Sequence, residues 1–106
     1  KIKLFLKYKR KLANKYQEWG NKFNVHFMKE AKGTLSNYWL NTIILNDIED
    51  RDFFLNLSNK NKILTRPTWT PMHMQNIYKN CFYENLDNTE WAFERIVNLP
   101  SSAIND

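Results

Sequence analysis

Residues 66–73 read RPTWTPMH and place an arginine, a tryptophan and a histidine around two prolines. Proline interrupts helices and removes a hydrogen-bond donor from a central strand, so Pro67 and Pro71 predict an irregular segment with a restricted backbone. The other side chains have the chemistry of a binding site. Arg66 can pair with a phosphate or carboxylate, Trp69 presents a flat apolar face, and His73 can donate or accept a hydrogen bond.

The remaining residues give little sign of catalysis. His26 and His73 with the single Cys81 are too few for a zinc site. Cys81 could in principle pair with a histidine as a nucleophile, but its neighbours Asn80 and Phe82 make a small packed residue the simpler interpretation. The sequence has neither a phosphate-binding glycine loop nor a dinucleotide fingerprint. Its composition and motifs therefore do not by themselves indicate an enzymatic activity.

The bulk composition predicts one small folded domain. The chain has 106 residues, of which 42% are hydrophobic and 15% aromatic. Its net charge of +5 favours anionic partners, either nucleic acid or phosphorylated metabolites. One cysteine excludes an internal disulfide and fits the reducing cytoplasm, and no apolar run predicts a membrane span. The chain starts without a methionine, so we expect a fragment.

Residues 1–21 predict an amphipathic helix. An apolar stripe recurs at helical spacing. It consists of Phe5, Tyr8, Leu12, Tyr16 and Trp19. The basic residues Lys3, Lys7, Arg10 and Lys11 lie away from it. The simplest interpretation is a core-facing stripe with a solvated basic face, and the alternative is a helix that binds nucleic acid.

The rest of the chain predicts a small sheet with helices. Residues 23–29 and 36–45 alternate as two strands of a hairpin, and residues 63–66 predict a third strand. A second helix is predicted from a cap at Asn46 or Asp47 to about residue 61. A third begins at an Asp87 cap, with Glu90 completing a capping box, and ends near Arg95 before NLPSS. This order predicts an α+β fold, a small antiparallel sheet with helices packed on one face.

Four stretches carry a family resemblance: SNYWLNTIIL, RDFFL, ILTRPTWTPMHMQNIY and NLPSS. Together they resemble the C-terminal domain of the DegT/DnrJ/EryC1/StrS sugar aminotransferases, which are pyridoxal phosphate enzymes that aminate keto-sugars attached to nucleotides. The resemblance covers nearly the whole chain, and its R-P-x-W-x-P-x-H element is the most specific part. The branch it most resembles makes bacterial surface glycans through legionaminic-acid and bacillosamine-type pathways.

The resemblance implies that residues 1–106 are the small domain of a fold-type-I transferase. In that family a large N-terminal domain holds the cofactor-binding lysine, the aspartate under the pyridine nitrogen and the phosphate site. We therefore expect no catalytic residue in this chain, no activity of the chain alone, and pyridoxal phosphate bound by the absent domain. The parent enzyme is expected to be a homodimer that takes its amino group from glutamate.

The same resemblance implies that residues 66–73 line one side of the substrate cleft, which we call the substrate wall. Arg66 would pair with a phosphate or carboxylate of the nucleotide-linked sugar, Trp69 would lie against a sugar or base, and His73 would bind a hydroxyl or phosphate. Asn37 and Tyr38 begin the strand nearest the expected cleft and complete the candidate set.

Purely structural interpretations stand beside these roles. Arg66 would then bridge to a carboxylate on a neighbouring helix, Trp69 would belong to the core, and Tyr38 would be packed rather than in contact with ligand. Two other function classes also remain open: a basic nucleic-acid-binding module and an interaction domain whose aromatic surface faces a partner protein. No nucleic-acid motif appears in the sequence, which favours the aminotransferase interpretation.

Overall fold

A computed structural model describes residues 1–103 of the chain; the last residues of the predicted domain, 104–106, lie outside the described part. The elements in chain order are α1 (Ile2–Phe23), β1 (His26–Phe27), β2 (Asn41–Ile44), α2 (Ile48–Lys60), β3 (Arg66–Pro67), α3 (Asp87–Phe93) and β4 (Ile96–Leu99). Two short 3-10 turns, Met72–Met74 and Asn76–Tyr78, lie between β3 and α3.

The four strands form one antiparallel sheet in the order β1-β2-β4-β3. Since β2 and β3 both pair antiparallel with β4, they run in the same direction on either side of it. The predicted α+β class and antiparallel sheet are confirmed. None of the helices in residues 1–103 is long and apolar enough to cross a membrane.

The core lies on the sheet face that receives α1 and α2. Ile43 of β2 and Val97 of β4 are directly paired and have 0% exposure. Phe27, Leu99 and Ala13 join them, and side chains of both helices pack around this cluster. Burial of these apolar groups is the main stabilising term of a domain this small.

The predicted apolar stripe of α1 packs on the core in the second half of the helix. Tyr16 and Trp19 pack against the core, whereas Phe5 near the helix start is 53% exposed. The helix does not end at residue 21, as predicted, but continues to Phe23. Gly20 is buried, and the chain entering β1 passes so close to it that a β-carbon there would lie 2.7 Å from the carbonyl oxygen of Val25.

The helix α2 begins at the predicted cap. The Asp47 side chain accepts a hydrogen bond from the Asp50 backbone N–H at 2.8 Å, which satisfies one of the free donors of the first turn. Its inner side carries Phe54, Leu55 and Ser58. The Ser58 hydroxyl contacts that of the buried Thr65, and this contact joins the helix to the chain entering β3.

Two predictions about the C-terminal part were wrong. Asp87 is the first residue of α3 rather than its cap, and Asn85 Oδ1 instead accepts from the Asp87 backbone N–H at 3.0 Å. The chain after Arg95 was expected only to end a helix, yet Ile96–Leu99 forms β4 beside both β2 and β3. Pairing on both sides gives this four-residue segment its extended conformation.

The predicted hairpin strands are much shorter than expected. The first, predicted over 23–29, is His26–Phe27, and the second, predicted over 36–45, starts only at Asn41. Tyr38 has a φ of 46°, which is incompatible with a continuous strand. The chain from 28 to 40 is a loop held by side chains, and its attachment to α1 positions the candidate site.

Candidate functional site

The sheet face opposite the core carries a short polar row. Thr42, Asn98 and Arg66 are direct cross-strand partners on β2, β4 and β3. Because side chains alternate along a strand, all three project from the face opposite to buried Ile43 and Val97. Thr42 Oγ1 donates to Asn98 Oδ1 at 2.9 Å. Arg66 is exposed, and no carboxylate or other side chain in residues 1–103 pairs with its guanidinium.

Two exposed tryptophans meet beside this row. The ring centroids of Trp39 and Trp69 lie 6.3 Å apart with a tilt of 30°. Trp39 precedes β2 and Trp69 follows β3, so their contact bridges the two strands that flank β4. Trp69 also lines a cavity of about 370 Å³ with Ile96, whose side chain shares the face of Asn98. The aromatic pair therefore belongs to the open face of the sheet.

Asn37 and Tyr38 shape the loop that presents Trp39. Asn37 is exposed, and its Oδ1 accepts from the Trp39 backbone N–H at 3.0 Å, a local turn that sets the direction of the chain. Tyr38 is buried to 8% exposure, and its ring lies 6.2 Å from that of Phe27. Tyr38 is thus a packed residue, as one of the two interpretations predicted, and the tryptophan next to it is the exposed group.

The loop is tied to α1 by an ion pair. The Arg10 guanidinium donates to both Glu30 oxygens, at 2.6 and 3.0 Å, and to the Ser36 carbonyl oxygen. The Ser36 N–H donates to Glu30 at 2.6 Å. These hydrogen bonds, first that of Arg10 and then that of Ser36, lower the pKa of Glu30 to about 2. Arg10 also lies 5.5 Å from the Tyr38 ring centroid, so it is not part of a freely solvated basic face.

Lys9, a second basic residue of α1, contacts the backbone of Trp39. Lys9 Nζ donates to the Trp39 carbonyl oxygen at 3.0 Å and also to the carbonyl oxygen of Ser101. Partial burial lowers the pKa of Lys9. Lys9 therefore links the loop before β2 to the chain after β4 and brings a positive charge next to Trp39.

His73 lies in a different environment from Arg66 and Trp69. Its side chain is 6% exposed, and Nε2 lies 2.8 Å from Oε1 of Glu90 on α3. Its ring also lies 4.9 Å from that of Tyr83. The predicted capping role of Glu90 is therefore replaced by a contact that anchors the 3-10 turn to α3. His73 lines an apolar cavity of about 360 Å³ with Pro71, and Trp69 is not among the residues that line it.

The segment after the aromatic pair exposes much apolar surface. Met72 and Met74 are 58% and 41% exposed. Ile77 is 78% and Phe82 is 92% exposed. This segment therefore presents four large apolar side chains to solvent.

Arg66 and Trp69 therefore lie on the same face of the sheet. Asn37 and Tyr38 belong to the loop that presents Trp39, and His73 lies in a different environment against α3. Trp39 is the residue that sequence reasoning missed. The sequence placed Trp39 inside the predicted strand 36–45, which gave no sign that its side chain would be exposed. The positive φ of Tyr38 keeps Trp39 out of that strand, and the residue is 67% exposed.

Comparison with known proteins gives a consistent picture. The model of the DegT/DnrJ/EryC1/StrS aminotransferase family matches residues 1–104. The chain is 31% identical over 105 residues to the "Putative pyridoxal phosphate-dependent aminotransferase EpsN" of Bacillus subtilis (strain 168), covering 94% of this chain and 25% of that protein. It is 29% identical over 99 residues to the GDP-perosamine synthase of Escherichia coli O157:H7, covering 92% of this chain and 26% of that protein.

The chain spans about a quarter of the length of these curated relatives. The family match nevertheless extends over all of α1 to β4 and includes both segments that carry the tryptophan pair. This chain belongs to the DegT/DnrJ/EryC1/StrS aminotransferase family.

Proposed function

We propose that this chain is the small domain of a pyridoxal phosphate-dependent aminotransferase that aminates a nucleotide-linked keto-sugar. The observation that carries the proposal is the family match across residues 1–104. The names of the two relatives support the reaction and the substrate class, since one is a pyridoxal phosphate-dependent aminotransferase and the other is named for a GDP-linked product. The parent enzyme then acts in the cytoplasm, in the synthesis of a surface polysaccharide or glycan.

The described residues do not fit a complete pyridoxal phosphate site. The cofactor needs a lysine for covalent attachment and a carboxylate for its ring nitrogen. Lys29 and Lys15 line two of the cavities in residues 1–103, and neither cavity is lined by a carboxylate. Lys9 is engaged with two carbonyl oxygens. We therefore assign cofactor binding to the rest of the parent protein.

The role of this domain is then to bind and orient the sugar substrate. The Arg66 guanidinium, which has no side-chain partner within residues 1–103, can bind a phosphate of the nucleotide diphosphate. Trp69 and Trp39 offer apolar faces beside it, and the polar row of Thr42 and Asn98 lies on the same side of the sheet. Holding the keto carbon in place contributes to the rate because orientation is a large part of the barrier.

The rest of the candidate set supports this wall. Asn37 and Tyr38 hold the Trp39 loop, and His73 fixes residues 71–74 to α3 through Glu90. Pro67 and Pro71 restrict the backbone before substrate arrives, which lowers the ordering cost of binding. In this proposal His73 reaches substrate only if the 3-10 turn that carries it moves away from Glu90.

The exposed apolar segment from Met72 to Phe82 fits a surface covered in the parent enzyme. We propose that either the cofactor domain or the second subunit of a homodimer covers it, because so much apolar surface is unfavourable in water. Burial of this segment next to the substrate wall would also exclude water from the reacting groups.

An aminotransfer assay on the product of the full reading frame tests the proposal. With glutamate as donor, a nucleotide-linked keto-sugar should accept the amino group, and the same sugar without the nucleotide should react far more slowly. Equal rates for both sugars would contradict the nucleotide-linked substrate, and no glutamate-dependent amination of any keto-sugar would contradict the reaction class.

A further inference from the structure

We propose that the groove between α1 and α2 holds an amphipathic helix supplied by the part of the parent protein outside residues 1–106. The inference rests on the proposed function in one respect, namely that this chain is one domain of a longer protein. It concerns the surface through which the domain is joined to the rest of that protein, and it assigns no ligand to the domain.

The groove opens between the two helices that pack on the core face of the sheet, and its volume is about 690 Å³. One wall comes from α1, the other from α2, and part of the floor comes from β4. The lining is largely apolar and includes Leu12, Tyr16, Trp19, Phe54, Leu57 and Leu99. Since Tyr16, Trp19 and Phe54 also pack against the core, an apolar group in the groove would extend that core.

The rim of the groove leaves apolar surface in contact with water. Leu57 on α2 is 50% exposed and Ile63 after it is 52% exposed, although Leu99 at the floor is only 7% exposed. Burial of the two rim side chains would be favourable in proportion to the area that it removes from water. The groove therefore gains stability from an apolar occupant.

The hydroxyl groups that line the groove are already engaged within the domain. The Tyr16 hydroxyl donates to the Pro100 carbonyl oxygen at 2.9 Å, and the Ser58 hydroxyl donates to the Phe54 carbonyl oxygen at 2.7 Å. The Thr65 hydroxyl contacts that of Ser58. A pocket for a polar small molecule needs polar groups that converge on the ligand. These hydroxyls bond to the domain instead, so the groove suits apolar side chains.

The floor of the groove favours a helix over a strand as the occupant. A strand is added at a free sheet edge, but β4 is paired with β2 on one side and with β3 on the other. A helix needs only side-chain contacts and lays residues i, i+3 or i+4, and i+7 into a groove. Packed between α1 and α2, it would complete the layer of helices on this face of the sheet.

The charges disfavour a second copy of this chain as the occupant. Within α1 there are seven lysine and arginine residues and one acidic residue, Glu18, and Lys15 of the same helix lines the groove. The α1 helix of another copy would therefore place like charges together. The helix α2 already packs on its own sheet through Phe54 and Leu55, and α3 has only seven residues.

The parent protein offers a better source for the helix. The chain covers 25% and 26% of the two curated relatives, so about three-quarters of each relative lies outside the matched region. A helix from that part needs an apolar stripe, and carboxylates beside the stripe would complement the positive charge of Lys15 on the groove lining.

A photoreactive benzophenone amino acid at position 57 of the full-length protein tests the inference. We expect irradiation to link position 57, within the same molecule, to a segment outside residues 1–106 whose apolar residues recur at helical spacing. Position 48 is the matched control. Ile48 is 42% exposed and lies nine residues before Leu57, on the opposite side of α2, so a benzophenone there should not link to that segment.

The other outcomes of the crosslinking experiment would overturn the inference. A link between two molecules, detected as a doubled mass, would assign the groove to a second copy. The absence of a link, or a link only to residues 1–106, would leave the groove without the proposed helix. A linked segment without helical apolar spacing would contradict the type of occupant.

Hydroxyl-radical footprinting of the unmodified full-length protein provides a check that needs no substitution. Leu57 and Ile48 have similar exposure in this structure, so without an occupant they should be oxidised at similar rates. We expect oxidation of Leu57 to be several times slower than that of Ile48. A Leu57 rate equal to or above the Ile48 rate would overturn the inference, even if a benzophenone variant failed to fold.

Failure of this inference is distinguishable from failure of the proposed function. If the full-length protein has no aminotransferase activity but the intramolecular link forms, the helix site stands in a protein of another function. If the full-length protein is an active sugar aminotransferase and the link does not form, only the assignment of the groove fails.

Discussion

The His73 Nε2 atom lies 2.8 Å from Oε1 of Glu90, and this contact holds the 3-10 turn after the RPTWTPMH segment against α3. The His73 side chain is 6% exposed, whereas Glu90 is 44% exposed. Both residues are therefore partners in a structural contact at the boundary of an apolar cavity. His73, which the family resemblance implied for substrate binding, is thus in contact with Glu90 in this structure.

Replacement of His73 should reduce the stability of the domain. His73→Ala removes the partner of Glu90 and a ring packed against Tyr83, so we expect a loss of about 1–3 kcal/mol in the free energy of unfolding, measured by urea denaturation. His26→Ala is the matched control, because His26 is exposed, and it should change stability by less than about 0.5 kcal/mol. Equal losses for both histidines would contradict the structural role.

The Arg10–Glu30 pair should make stability depend on pH. The pKa of Glu30 is lowered to about 2 in the folded chain, below the value of about 4.3 for a free glutamate. The stabilisation is therefore present at neutral pH and is lost as the pH falls from about 5 towards 2. Glu30→Gln should be less stable than the natural chain at neutral pH, and the difference should shrink in this acid range.

Thermal unfolding followed by circular dichroism at several pH values measures this effect. Glu84→Gln is the control, since Glu84 is an exposed residue outside the regular elements, and its difference from the natural chain should be small at every pH. A Glu30→Gln difference that persists unchanged at the acid end would show that the carboxylate charge is not what holds the loop.

Gly20 provides a test of the close approach between α1 and β1. An alanine there would favour the helix by propensity, but its β-carbon would lie 2.7 Å from the Val25 carbonyl oxygen. The clash should dominate, and Gly20→Ala should cost about 1–3 kcal/mol in urea denaturation. Asn14→Ala, at an exposed position of the same helix, should leave stability unchanged or slightly raised. A stabilising effect of Gly20→Ala would refute the close contact.

The basic helix should not bind nucleic acid. Arg10 and Lys9 are engaged with the loop, which leaves fewer cations for a phosphate backbone. We therefore expect no salt-dependent binding of an arbitrary oligonucleotide in a fluorescence anisotropy titration. Affinity that falls steeply as salt concentration rises would instead support the nucleic-acid alternative.

Sequence patterns were enough to predict those helices and caps that depend on residues close together in the chain. The stripe of α1 and the Asp47 cap of α2 follow from helical spacing and from one side chain that reaches the first turn. The strand Ile96–Leu99 did not follow, because its extended shape comes from pairing with β2 and β3, which are distant in sequence. The Asp87 cap failed for a local reason: Oδ1 of Asn85, two residues earlier, accepts from the Asp87 backbone N–H, and Asp87 is the first residue of the helix.

In the candidate site, too, residues marked by local sequence could be predicted, whereas those that depend on distant contacts could not. Arg66 and Trp69 could be singled out from proline positions and side-chain chemistry alone. Trp39 could not, because its exposure depends on the positive φ of Tyr38 and on the Arg10–Glu30 pair that pins the loop from another element. The contact of His73 with Glu90 joins residues seventeen positions apart, and that of Trp39 with Trp69 joins residues thirty positions apart.

We propose that this domain belongs to an enzyme whose pyridoxal phosphate is held elsewhere in the protein. The most direct test is borohydride reduction of the full-length protein with bound cofactor, followed by mass spectrometry of its peptides. We expect one covalently modified lysine, which lies outside residues 1–106. Modification of a lysine within residues 1–106, or a reading frame that begins immediately before Lys1, would contradict it.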